Sequence, residues 1–225
     1  MSEEIKVLDE ESDEPKANPE KITALTCERF IAELSGSSPF PSGGSVAALA
    51  GAFATALANM TASVISSRKN SDNPDSDLAE LKYDADVLQA DFVWLASKDA
   101  SATDNLINSY SSSGESYDSG SVLQPALSLA ADIALETVHK CIEALSLIDR
   151  MKDKCDLLLI SGVASAAALA GSALKASAVS VAANTRMMSD REHADELNRD
   201  IKEALETGIV KAEEIYTYAY NKLLA

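Results

Sequence analysis

Two long stretches of this chain carry no charge, and both are built on small side chains. Residues 45–65 run for 21 positions on Ala, Gly, Ser, Thr and Asn, with Val46, Leu49, Phe53, Leu57, Met60, Val64 and Ile65 as the larger apolar groups. Residues 157–174 repeat the pattern over 18 positions. Either stretch is long enough to cross a bilayer as a helix. Neither is flanked by an aromatic belt or a basic cluster, which a spanning helix uses as anchors. Small side chains instead let neighbouring backbones approach closely, so both stretches are expected as central helices surrounded by other helices. The chain holds 37 alanines among its 225 residues, with 5% aromatics, 9 Gly and 6 Pro. Strand-forming residues and turn breakers are both scarce, and the good helix formers dominate. The expected fold is all-α: a bundle of long helices with Ala/Gly-rich helices at its centre.

The punctuation places the helices. Thr26 is a candidate N-cap for a short helix bearing Phe30, Ile31 and Leu34, with Gly36 where a C′ glycine belongs. A Ser/Pro/Gly loop over 37–44 leads into a long helix over 45–68. A polar turn over 70–76 separates this from a second long helix over 77–110. A Ser/Gly linker over 111–121 then precedes a third over 122–151, with Pro125 in its first turn. The second small-residue helix is expected over 161–188. Ser189 then caps an amphipathic last helix presenting Ala194, Leu197, Ile201, Leu205, Gly208, Ala212, Ile215 and Ala219 on one face.

Residues 1–20 read differently. They hold eight acids, two lysines and two prolines with no apolar period, and are expected as a disordered acidic tail ahead of one helical domain over 21–225. The tail lacks the positive start and apolar core of a secretory signal. Cys27, Cys141 and Cys155, with two scattered His, make neither a disulfide framework nor a zinc site. A reducing, cytoplasmic compartment is expected, and no metal. The formal charge of −17 disfavours nucleic acid and anionic membrane surfaces as partners, because both need a cationic footprint.

The second long helix carries the sharpest chemical signal. Its apolar stripe steps by three and four through Leu78, Leu81, Ala85, Leu88, Phe92 and Leu95, then meets Asp99 before Ala102 and Leu106. Asp84, Asp86, Asp91 and Asp104 fall off the stripe. A carboxylate held against apolar surface resists ionising, which brings it toward the range useful for proton transfer. A partly buried Asp bonded to a serine or to Lys98 would show the same spacing. Asn184 ends a similar stripe through Val163, Ala167, Ala170, Leu174, Ser177 and Val181, and a buried amide needs a partner or a ligand. The turn Pro41-Ser42-Gly43-Gly44-Ser45 opens a helix, leaving free N–H groups and a positive dipole end that anions can use, although such loops also serve as plain caps.

In this order the pieces resemble the folate-dependent cyclodeaminase/cyclohydrolase family, which includes the cyclodeaminase part of formiminotransferase-cyclodeaminase and stand-alone methenyltetrahydrofolate cyclohydrolases. The hallmark there is a Phe-containing first helix, a P-x-P-G-G-G-S turn and an Ala/Gly-rich helix. Here it stands as Phe30-Ile-Ala-Glu-Leu34 and Pro39-Phe-Pro-Ser-Gly-Gly-Ser-Val-Ala-Ala-Leu-Ala-Gly51. The family's D-A-x-A-F segment is similar to Asp99-Ala-Ser-Ala-Thr103. Its S-D-V, N-V-x-x-N and R-x-x-x-D segments are similar to Ser161-Gly-Val163, Ser180-Val-Ala-Ala-Asn184 and Arg186-Met-Met-Ser-Asp190. The likeness covers about residues 22–220. Ser42, Thr103, Gly162 and Ser180 depart from the pattern, and the family's L-P-K segment has no counterpart.

The resemblance implies a tetrahydrofolate derivative as substrate and an assembly of two or more copies. The implied reaction is closure of 5-formiminotetrahydrofolate to the 5,10-methenyl form with loss of ammonia, or hydrolysis of that methenyl form. Asp99 would move the proton. Pro41, Ser42, Gly43, Gly44 and Ser45 would position substrate, with Asn184 and Arg186 as polar support. The departures motivate a second reading, a degraded homologue that binds folate or a protein partner without turnover.

Overall fold

The computed structural model describes residues 19–38, 40–68, 76–112 and 119–225. The expected acidic tail lies outside the described residues except for its last positions, as do Pro39, almost all of the 70–76 turn and the middle of the 111–121 linker. The described chain is helical throughout, as expected. A 3₁₀ helix at Pro19–Ala24, which the sequence did not announce, is followed by α1 (Cys27–Leu34), α2 (Gly43–Arg68), α3 (Ser76–Ser112), α4 (Ser119–Lys152), α5 (Ile160–Thr185) and α6 (Arg191–Leu224).

Successive long helices run antiparallel. Gly44 lies beside Asp99 and Gly51 beside Phe92, while Asn59 hydrogen-bonds to Asp86, so α2 and α3 pass in opposite directions. Ion pairs repeat the relation between α3 and α4, with Lys140 on Asp91 at 3.1 Å and Arg150 on Asp77 at 2.9 Å. At the other end of α4, the Ser189 N–H beyond α5 donates to Gln124 Oε1 at 2.6 Å. Thr185 Oγ1 meets Asn198 Oδ1 at 2.9 Å across the turn into α6. The start of α2, the end of α3, the start of α4 and the end of α5 therefore share one end of the bundle.

Both small-residue helices pack against three others and keep an outer face, with about half of each buried. The α2 helix packs against α3, α4 and α5, and α5 packs against α2, α4 and α6. Close approach is what the missing side chains permit: a Cβ on Gly51 would stand 2.4 Å from the Phe92 ring, and one on Gly171 would stand 2.9 Å from the Ala212 Cβ. The α4 helix is equally central, touching α2, α3, α5 and α6. It supplies the bulk that alanines cannot, with Leu127, Val138, Leu145, Ile148 and Met151 fully buried. Buried hydroxyls turn back on their own helices, as Thr55 does on the Gly51 and Ala52 carbonyls and Thr137 on that of Ile133.

Several boundaries move. Thr26 caps α1 as expected, its Oγ1 accepting from the Arg29 N–H at 3.2 Å. Ser35 closes that helix, and Gly36 does not take a left-handed conformation. Because α4 begins at Ser119, Pro125 sits in its second turn instead of its first. The cap of α6 is Asp190, one residue after Ser189; its carboxylate accepts from the His193 N–H at 3.1 Å, and a carboxylate at a helix start also meets the positive dipole end.

Candidate active site

The α3 stripe folds as its spacing dictates. Leu78, Leu81, Ala85, Leu88, Phe92, Leu95 and Ala102 are buried, and Asp99 among them is only 8% exposed. Off the stripe, Asp91 pairs with Lys140, Asp86 with Asn59 and Lys82, and Asp104 with Asn108. Asp99 is thus the acid that α3 turns inward, and the antiparallel packing of α2 sets it against the first turn of that helix.

There two hydroxyls converge on one carboxylate oxygen. Ser42 Oγ donates to Asp99 Oδ2 at 2.5 Å, and Ser45 Oγ donates to the same oxygen at 2.7 Å. Gly44 makes this approach possible, since a Cβ at that position would stand 2.0 Å from Asp99 Oδ1. Gly43 has nothing within 4 Å of where its Cβ would lie, so space does not require a glycine there. Pro41 is buried beside the buried Phe40, and Phe40 packs with Ile22 and Ala100 just behind Asp99.

Burial pushes the Asp99 carboxyl above the ordinary carboxylate range. Donation from Ser42 and Ser45 pulls it part of the way back, and burial wins. The group can therefore carry a proton more readily than a surface acid, yet it has donors ready to hold the anion. That is the behaviour of a proton-transfer group.

The other expected residues stand at the same end of the bundle but not in this cluster. Asn184 is half-buried and donates to the Ser180 carbonyl of its own helix at 2.9 Å. The stripe's buried position at the end of α5 is Thr185 instead, because the last step from the buried Val181 is four residues and not three, which leaves Asn184 at the edge of the buried face. Arg186 is exposed and caps α5 through its backbone. Among the described residues, neither side chain bonds to Asp99 or the 41–45 turn. Gly162 lies far away. A Cβ there would stand 3.2 Å from Thr61 Oγ1, and Thr61 is seventeen residues beyond Gly44 on α2, about 25 Å along its axis. An acid at position 162 would not reach Asp99 within one chain.

Sequence reasoning placed Ser42 and Ser45 on the substrate, whereas the structure places their hydroxyls on the carboxylate. The signal was present, because a serine at the cap and another three residues on face one side of a first helical turn.

Beside this site an apolar groove of about 600 Å³ runs between α1 and the outer face of α2 and α3. Phe30, Ile31, Leu34, Leu49, Phe53 and Val93 line it. No residue of α1 is buried.

Comparison with known proteins agrees with this architecture. The sequence profile of the family described as Formiminotransferase-cyclodeaminase matches residues 26–203. A methenyltetrahydrofolate cyclohydrolase of Methylorubrum extorquens strain AM1 is 28% identical over 204 residues, spanning 88% of this chain and 97% of the relative. The crystal structure of formiminotetrahydrofolate cyclodeaminase from Thermotoga maritima superposes with a TM-score of 0.73 at 22% identity, covering 90% of this chain and 98% of the other. That structural likeness speaks for the fold.

Proposed function

Since the chain belongs to the formiminotransferase-cyclodeaminase family, we propose that it is a folate-dependent one-carbon enzyme in which Asp99 moves the proton. The observation that carries the reading is the Asp99 cluster: one buried acid, raised by burial and held by two serine hydroxyls at a helix start. The relative aligned over nearly its whole length is a methenyltetrahydrofolate cyclohydrolase, and the structural neighbour is a formiminotetrahydrofolate cyclodeaminase.

Both reactions ask the same service of a carboxyl. In cyclodeamination, N10 of 5-formiminotetrahydrofolate attacks the formimino carbon and forms the ring bond. N10 gives up a proton, the bond from that carbon to the terminal nitrogen breaks, and that nitrogen leaves as ammonia after taking up two protons, the one given by N10 and one from solvent, so that the methenyl product is the cation. In hydrolysis, water adds to the methenyl carbon and loses a proton; the bond to N5 then breaks as N5 takes a proton and the hydroxyl on that carbon gives up its own, leaving the 10-formyl product. Asp99 can accept the first proton and return it to the leaving nitrogen. Neither route calls for a metal.

The same reading places Gly43 and Gly44 at the α2 start against substrate, with Asn184 and Arg186 at the same bundle end as polar support for the pterin or glutamate tail. We place the protein in the cytoplasm as a homodimer or larger assembly, with no nucleic acid or membrane partner. Its net charge of −17 and the apolar groove beside α1 support this. Ser42 does not argue for a degraded site, because it adds a donor to Asp99.

Spectrophotometry of the pure protein with each folate separates the possibilities. Growth of methenyl absorbance from 5-formiminotetrahydrofolate marks a cyclodeaminase, and decay of the methenyl form beyond its uncatalysed rate marks a cyclohydrolase. Binding of either folate without any change in absorbance would return the degraded-homologue reading.

A further inference from the structure

We infer that Ser42 is a positioning residue for Asp99: it is locked as a hydrogen-bond donor to Oδ2, so that the carboxyl holds its exchangeable proton on Oδ1. The proposal concerns the same site and rests on the reading that Asp99 is the proton-transfer group.

A serine hydroxyl offers one donor and two acceptor lone pairs. Ser42 stands at the cap of α2, where its carbonyl accepts from the Val46 N–H at 3.2 Å. Its Oγ accepts from the Gly44 N–H at 3.1 Å and the Ser45 N–H at 3.4 Å. Both lone pairs are taken by backbone donors that cannot turn away. What remains is the O–H, and it points at Asp99 Oδ2. Ser42 therefore cannot accept a proton from Asp99; it can only give a hydrogen bond.

Ser45 donates to the same oxygen. With two donors already on Oδ2, a proton taken up by the carboxyl goes to Oδ1, the oxygen that lies over Gly44. The arrangement gives the acid a direction. It also favours the anion, opposing the burial that disfavours it.

Among the described residues, the charged groups nearby are turned elsewhere. The α2 helix has no charged residue before Arg68. On α4, Ala130 and Ile133 pack toward the Leu95 side of α3, while Asp132 is turned to His193. On α3 itself Lys98 lies over the Trp94 ring and Asp104 bonds Asn108. Ile22 and Phe40 close the remaining side with apolar surface. Among the described residues, the carboxyl answers to its burial, the two serine hydroxyls and the Ser45 backbone.

The test is a titration of Asp99 in the whole protein without substrate. Infrared difference spectra follow the protonated-carboxyl band that the wild type shows and Asp99→Asn lacks. Glycine caps helices nearly as well as serine, so Ser42→Gly keeps the fold while removing the donor. Its band midpoint is expected at higher pH than wild type, about tenfold tighter proton binding. Ser42→Thr keeps the hydroxyl and is expected at the wild-type midpoint. A Ser42→Gly midpoint equal to wild type would make Ser42 a helix cap and nothing more, overturning the proposal. Equal shifts in both variants would overturn it too, because the hydroxyl would not be the cause. Turnover is a separate measurement: a Ser42→Gly shift in a protein that converts neither folate supports the serine's hold and removes the catalytic reading instead.

Discussion

At the scale of single residues, Asp99 and Gly44 form one unit. A methyl group on Gly44 cannot coexist with Asp99 Oδ1 at 2.0 Å, so Gly44→Ala is expected to push the carboxylate out of its serine cradle. Turnover should fall by about 10²–10⁴, the usual worth of a positioned acid–base group, while circular dichroism remains helical. Asp99 also marks the pH dependence of stability. Its carboxyl is raised in the folded state, so the folded protein holds that proton more tightly than the unfolded chain. The group is neutral in both states at low pH and makes no difference there. As pH rises through the ordinary carboxylate range toward the raised folded value, stability is lost. Asp99→Asn should therefore melt higher than wild type at pH 7, and the gap should close near pH 3, as differential scanning calorimetry can check. The sequence made Asp99 legible because three-and-four spacing is a property of one helix. It left the roles of Ser42 and Ser45 open, because only the crossing of α3 over the start of α2 decides whether a turn's hydroxyls meet substrate or carboxylate.

At the scale of elements, small residues fix how closely helices pass. Gly51 lets the fully buried Phe92 ring lie against α2. Alanine there brings a helix-propensity gain of about 1 kcal/mol, but it overpacks a ring that has nowhere to go, at about 1–3 kcal/mol. Gly51→Ala is expected to lower the melting temperature by a few degrees, at about 2–4 °C per kcal/mol for a chain of this size. A rise in melting temperature would mean that the ring can move aside. Long uncharged runs, a cap at Thr26 and the α6 stripe were all readable, because each follows from local pattern. The cap of α6 fell one residue later than Ser189, where an acid replaces a hydroxyl at the same task. The central place of α4 was not readable. Only the tertiary arrangement shows that four helices pack against it.

At the scale of the molecule, the distribution of charge matters more than its sum. Between Gly43 and Ser67 the α2 helix carries none, and its outer face shows Phe53 at 56% exposure beside Ile31 at 60% on α1. The net charge of −17 opposes the approach of a second copy. The outer α1–α2 face is the place where association would bury apolar area at about 25 cal/mol per Å². Light scattering at micromolar concentration is expected to give twice the chain mass, and Phe53→Glu to reduce it to one chain. A monomeric wild type would contradict this. Both small-residue helices are apolar and long enough to cross a bilayer, and half of each such window is buried inside the bundle. Length and hydropathy alone fit a bilayer and a bundle interior equally; in this structure each of the two helices has three helical neighbours.

Whether Asp99 moves the proton in folate chemistry is decided by comparing wild type with one variant. Wild type and Asp99→Asn are given 5-formiminotetrahydrofolate and the 5,10-methenyl form in turn, and the methenyl absorbance is followed. The asparagine oxygen can still accept from Ser42 and Ser45, so the fold should survive, as circular dichroism on the same samples would show. The predicted result is turnover of at least one folate by wild type and a loss of about 10²–10⁴ in the variant. A folded Asp99→Asn protein that turns over folate as fast as wild type would contradict the account and move the chemistry to another site.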